Sequence, residues 1–200
     1  SWATFEEDAD FRLKYFFKIL NFSRIKTLSG KKLFIRLNNE EGEISFERAY
    51  LENMYLDIEL VKGTLIDFNG ALLKNTKIKK GQIEDHILQE KRKKFSEAKE
   101  IYLLLKNNFH SIGQYDDESW AYKKEKDMER LSYSYSYYKE NRKDKAKEEK
   151  FPILKWIKKG DFKKLIISTF SNMIYGYGER PRNVIFSAIF IIILFSVFFS

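Results

Sequence analysis

FERAYLENMYLDIELVKGTLIDFNGALLKNTKIKKGQI, residues Phe46 to Ile83, decides how the N-terminal part of this 200-residue chain folds. Large apolar residues recur at every fifth position: Phe46, Leu51, Leu56, Val61 and Ile66, then, shifted by two, Phe68, Leu73, Ile78 and Ile83. That period is neither the 3.6 of a helix nor the 2 of a strand. Small residues stand two positions before several of these centres (Ala49, Ala71, Thr76, Gly81), while Met54, Glu59 and Ile66 occupy the same slot elsewhere. A period of five fits a coil with four short sides, each turning one large and one small residue inward. Stacked coils then pair as strands at about 4.8 Å and bury a continuous apolar column. The expected fold is therefore mixed, β then α, with a four-sided β-coil over residues 1–85. Residues 29–43 (SGKKLFIRLNNEEGE) interrupt the pattern like an inserted hairpin. A mixed antiparallel sheet is the alternative.

From His86 onward the period becomes helical. Phe95, Ala98, Ile101, Tyr102, Leu105 and Phe109 share one helix face, Gly113 suits a C-cap, and Asp116 or Asp117 suits the cap of a second helix bearing Trp120, Ala121, Met128 and Leu131. The short connection predicts an antiparallel helical hairpin over 86–131. Residues 132–150 open with the Ser–Tyr alternation Ser132–Tyr138 and continue rich in Lys and Glu, which predicts a charged helix extension or linker.

Val184–Ser200 (VIFSAIFIIILFSVFFS) has no charge and no proline. It spans about 25 Å as a helix, and its apolar residues surround the axis rather than forming a stripe. Residues 179–200 are therefore expected to start a transmembrane helix; a buried core helix or an amphipathic anchor is the alternative. Arg180 and Arg182 flank Pro181 at its mouth, where a proline suits the first turn and arginines hold that end on the cytoplasmic side. Residues 151–178 carry Phe162, Leu165, Ile166, Met173 and Ile174 at helical spacing beside Lys163 and Lys164, the pattern of an interfacial amphipathic segment with Trp156 as anchor. Gly176 and Gly178 precede Pro181 and predict a sharp hinge into the membrane. The expected membrane-interface residues are thus Trp156, Arg180 and Arg182, and the hinge residues Gly176, Gly178 and Pro181.

The net charge is +8. Residues 1–85 are neutral, with fourteen Lys/Arg and fourteen Asp/Glu, so the whole excess lies beyond them. That distribution points to anionic lipid, at about 1 kcal/mol per basic side chain near the surface, and away from nucleic acid. Without cysteine the chain has neither disulfides nor thiolate metal ligands. His86 and His110 do not stand in a zinc-binding spacing, and no nucleophile elbow, phosphate loop or dinucleotide fingerprint is present. No enzyme activity, metal or cofactor is expected.

Ala49-Tyr50-Leu51, Ala71-Leu72-Leu73 and Ala9-Asp10-Phe11 resemble the A-(D/N)-L-x-x unit of pentapeptide-repeat proteins. Further along stand Tyr102, Leu105, Lys106, Phe109, Gly113 and Tyr115, then Gly176-Tyr177-Gly178-Glu179-Arg180-Pro181 before the apolar run. The order resembles prokaryotic pentapeptide-repeat proteins that end in a two-helix, potassium-channel-like pore. Gln114 stands where that family often has an acid, and Arg182 where a Trp is common. The resemblance implies a right-handed quadrilateral β-helix, the inner membrane with the N-terminal region cytoplasmic, and homo-oligomers made through a pore domain that these residues do not include. It also implies the cytoplasmic and membrane-proximal portion of an ion-channel-like protein. A membrane-tethered scaffold that binds protein partners is the alternative. Gly176–Gly178 is not read as a selectivity filter, because it precedes the first apolar run and lacks the Thr-Val step.

Overall fold

The computed structural model describes residues 3–14, 18–38, 41–140, 152–178 and 181–198. Eight short strands come first: β1 (Ala3–Phe5), β2 (Ala9–Leu13), β3 (Ile19–Asn21), β4 (Ile25–Thr27), β5 (Lys32–Leu37), β6 (Glu43–Ser45), β7 (Tyr55–Leu60) and β8 (Leu65–Asp67). Every ladder is parallel, giving the orders β1-β4, β2-β5-β7 and β3-β6-β8. Helices follow: α1 (Leu88–Lys91), α2 (Phe95–Ser111), α3 (Tyr115–Ser132), α4 (Tyr135–Glu140), α5 (Pro152–Lys158), α6 (Asp161–Tyr175) and α7 (Pro181–Phe198). The chain divides into two compact units, Ser1–Glu125 and Lys126–Ser200.

The expected quadrilateral β-helix does not form. The strands make one two-stranded and two three-stranded sheets, and none closes or runs on as a solenoid sheet. Spacing explains the difference. Four five-residue sides would bring the chain back after about 20 residues. Here Ala3 pairs with Ile25, Ala9 with Leu33 and Lys32 with Tyr55, offsets of 22, 24 and 23. The extra residues sit in turns with left-handed backbone. One set of turns aligns Arg24, Arg48 and Gly70, and another aligns Gly30, Asn53 and Asn75, all with φ between 54° and 80°. Asn75 Nδ2 donates to Asn53 Oδ1 at 2.9 Å, so the second set is tied side chain to side chain. Residues 29–43 are no inserted hairpin, since β5 within them is the central strand of its sheet.

The core residues proposed from the period are nonetheless inside. Leu51, Leu56, Leu73, Ile78 and Ile83 are all buried. Phe22, Phe46 and Phe68 form a stack through the layers, with centroids 5.5 Å apart at both steps and planes within 14° and 9° of parallel. Alternation within strands supplies the rest: in β5, Leu33, Ile35 and Leu37 point inward and Lys32, Phe34 and Arg36 outward.

Helix α2 joins the last strand layer through one buried pair. Asn108 Oδ1 accepts from the Thr76 N–H and its Nδ2 donates to the Thr76 carbonyl, both at 2.8 Å. The side-chain amide thus substitutes for the next strand. Gly113, at φ 71°, ends the helix, and the Gln114 N–H donates back to the Phe109 carbonyl at 2.9 Å. Trp120 of α3 meets Tyr102 and Phe109 edge-on at 5.6 and 6.4 Å.

The expected transmembrane helix is likewise corrected. No helix among the described residues is long and apolar enough to cross a membrane. Helix α7 is described over 18 residues, Pro181–Phe198.

Phe46→Ala removes the middle ring of the stack and is expected to cost about 3–5 kcal/mol. Lys74→Ala, on an exposed side chain, should stay within about 0.5 kcal/mol. Urea unfolding checks both; similar small values would refute the stacked core.

Candidate lipid-binding surface

Most exposed large apolar residues among those described lie on α5, α6 and α7. On α6 the spacing of Phe162, Ile166, Phe170 and Met173 puts them on one face, with Ile167 beside them. Ile167 and Met173 are 66% and 64% exposed. Helix α5 adds Ile153, Leu154 and Ile157, and α7 adds Phe186 and Ile192 at 66% and 67%. A soluble monomer rarely leaves a contiguous apolar patch of more than a few hundred Å² in water. Lys155, Lys158, Lys159, Lys163 and Lys164 are exposed on the same two helices, α5 and α6, and the turn between them.

Backbone geometry shapes this surface. Gly160 at φ 83° separates α5 from α6, and Lys159 Nζ lies 3.3 Å from Asp161 at the start of α6. Gly176, Tyr177 and Gly178 all take positive φ (56°, 59° and 92°) and end α6 in a reversal. The Tyr177 and Ser168 hydroxyls lie 3.0 Å apart. Ser187 Oγ of α7 donates to the Ile174 carbonyl of α6 at 3.2 Å, so the start of α7 lies against the end of α6.

Gly176 and Gly178 thus lie in the reversal and Pro181 opens α7. Arg182 is in the first turn of α7, and Arg180 lies outside the described residues. Trp156 is buried: its Nε1 donates to the Tyr133 carbonyl at 2.9 Å, and its ring stands 5.5 Å from Tyr135 and 5.3 Å from Phe162. Its packing braces α5 against α4 and α6. The sequence pattern did not single out Ile167 and Phe170 as surface residues, although both fall beside the stripe recognised on α6; Ile192 lies in the run read as apolar all round.

The polar clusters in the other unit have structural partners. Lys124 Nζ reaches Glu90 at 2.8 Å, and the Tyr102 hydroxyl donates to the same carboxylate. Burial, and then the Glu90 charge, push the Tyr102 phenol above its ordinary pKa and keep it a neutral donor. His86 Nδ1 is 2.7 Å from the Thr64 carbonyl and His110 Nδ1 is 3.0 Å from Glu118. A cleft of ≈360 Å³ is lined by Lys32, Tyr55, Lys77 and Gln114 among others. Lys32 there pairs with Asp57 at 3.0 Å, and Lys77 with the Tyr55 hydroxyl at 2.8 Å. Among the described residues no group of His, Asp and Glu is arranged to hold a metal ion.

The chain matches no known family model, no characterised protein and no solved structure.

Gly178→Val places a β-branched side chain at φ 92°, in otherwise open space. Strain alone should cost about 1–2 kcal/mol, and Gly178→Asn less. Calorimetry of the two variants measures this; equal stability to the parent would show that the reversal does not need the glycine.

Proposed function

We propose that this chain is a non-catalytic, lipid-docking scaffold module. Its helices α5–α7 lie on an anionic bilayer, and its strand unit is held there as a rigid body for protein partners. The observation that carries this reading is the exposed apolar face of Ile166, Ile167, Phe170 and Met173 beside Lys163 and Lys164. An interfacial helix needs an apolar face that sinks about 5–10 Å and cations that stay at headgroup level. Docking of this kind does not require a helix long enough to cross. Each lysine near an anionic surface adds about 1 kcal/mol, which salt screens over about 10 Å at 0.1 M. The neutral strand unit has no comparable attraction.

Sedimentation with vesicles tests the reading. The protein should bind vesicles rich in anionic lipid, bind zwitterionic ones weakly, and lose affinity as salt rises. Ile167→Asp with Phe170→Asp should weaken binding by about tenfold or more. Ile19→Asp, at another exposed apolar residue but on β3, should leave it unchanged. Binding that ignores lipid charge and the paired α6 substitutions would contradict the proposal.

A further inference from the structure

The ≈360 Å³ cleft of the strand unit opens where one parallel ladder stops. Tyr55 at the start of β7 still bridges to Lys77, and the Leu56 N–H donates to the Lys77 carbonyl at 3.0 Å. Three residues later the chain leaves strand geometry for a single 3₁₀ turn at Lys80–Gln82. The cleft lies between β7, this turn and the end of α2. Leu56 and Ile78, each 1% exposed, stand at its floor, and the half-buried Ile112 lines one side. Its volume is at the lower end of the range for small-molecule sites, about 300–1,000 Å³, which combine apolar walls with a few polar groups.

The charges around this cleft do not balance. Residues 76–79 alternate, with Thr76 and Ile78 buried and Lys77 and Lys79 exposed on the outer side. Lys32 is a third lysine of the lining, and Asp57 is its one carboxylate. Asp57 is already engaged, pairing with Lys32 at 3.0 Å and accepting from Gln82 Nε2 at 2.6 Å. Lys77 meets a neutral partner instead. Its Nζ donates to the Tyr55 hydroxyl at 2.8 Å and stands 4.4 Å from the centre of that ring, which holds the cation at the cleft. Among the described residues, neither Lys77 nor Lys79 has a carboxylate within ion-pair distance. Two uncompensated cations beside apolar walls suit one negative charge carried on an apolar body. A second negative charge on the same ligand would face Asp57, and like charges brought together weaken binding.

We propose that this cleft binds a small monocarboxylate with an apolar body. The carboxylate accepts from Lys77 and Lys79, and the body packs against Leu56, Ile78 and Ile112. Charge-assisted hydrogen bonds set the orientation, and removal of apolar surface from water adds affinity. The inference is independent of lipid docking, which uses the helices of the other unit.

Calorimetric titration of the full chain with 3-phenylpropionate is the test. The acid should bind with a Kd of about 1 mM or tighter. Its amide, 3-phenylpropanamide, keeps the body without the charge, and acetate keeps the charge without the body. Each should bind at least about tenfold more weakly. Lys77→Gln with Lys79→Gln should weaken binding of 3-phenylpropionate by about tenfold or more, and both side chains are exposed, so this variant should fold as the parent does. Lys163→Gln with Lys164→Gln, on α6, should change nothing, which separates the cleft from the lipid-facing helices. In amide NMR spectra the side chains of Gln82 and Gln114, which line the cleft, should shift on adding 3-phenylpropionate. No binding of 3-phenylpropionate, equal binding of acid and amide or of acid and acetate, equal losses from the two lysine pairs, or unmoved glutamine signals would each overturn the proposal.

Discussion

The strand unit depends on the stacking of Phe22, Phe46 and Phe68. Three rings in near-parallel contact require the chain to return to the same place after 24 and then 22 residues, and the strand ladders take the same offsets. Short parallel strands are weak alone, since their ladder is slightly less stable per residue than an antiparallel one. A continuous apolar column compensates by tying each layer to the next. The aligned left-handed turns at Arg24, Arg48 and Gly70 follow from the same constraint, because each layer must turn at the same place. At Gly70 an added Cβ would come within 3.3 Å of Arg48 Cγ in the layer before.

The column needs an end as well as a repeat. At one end the Asn108 amide pairs with the Thr76 backbone, and α2 and α3 lay Tyr102, Phe109 and Trp120 beyond it. Buried backbone groups left without partners cost about 1–3 kcal/mol each, so a side chain that mimics a peptide is an economical way to stop a sheet.

Much of this was legible in the sequence, but not the architecture. Of the residues that the period of five from Phe46 marks, all but the half-buried Val61 lie in the core. The period misjudged the layer length, since the added turn residues include Arg24 and Arg48, whose left-handed conformation carries no residue-type signature. KLFIRL in β5 alternates with the strand period of two. Against a period of five, that alternation looks like an interruption. At the C-terminus, apolar residues all round α7 read as a membrane span, whereas no helix among the described residues is long and apolar enough to cross. Trp156 illustrates a further limit. An interfacial tryptophan and a buried one share the same flanking lysines, and only the contacts with Tyr135 and Phe162 distinguish them.

Charge and apolar surface coincide in the second unit, while residues 1–85 are neutral and keep most of their large side chains inside. The account's central claim is that the α5–α7 faces enter lipid and the strand unit stays in water. Single nitroxide labels on introduced cysteines test it most directly, through collision with oxygen against a water-soluble nickel complex on anionic vesicles. Labels at Ile167, Phe170 and Ile192 should favour oxygen, and one at Lys74 should favour nickel. Equal, water-like accessibility at all four positions would contradict the account.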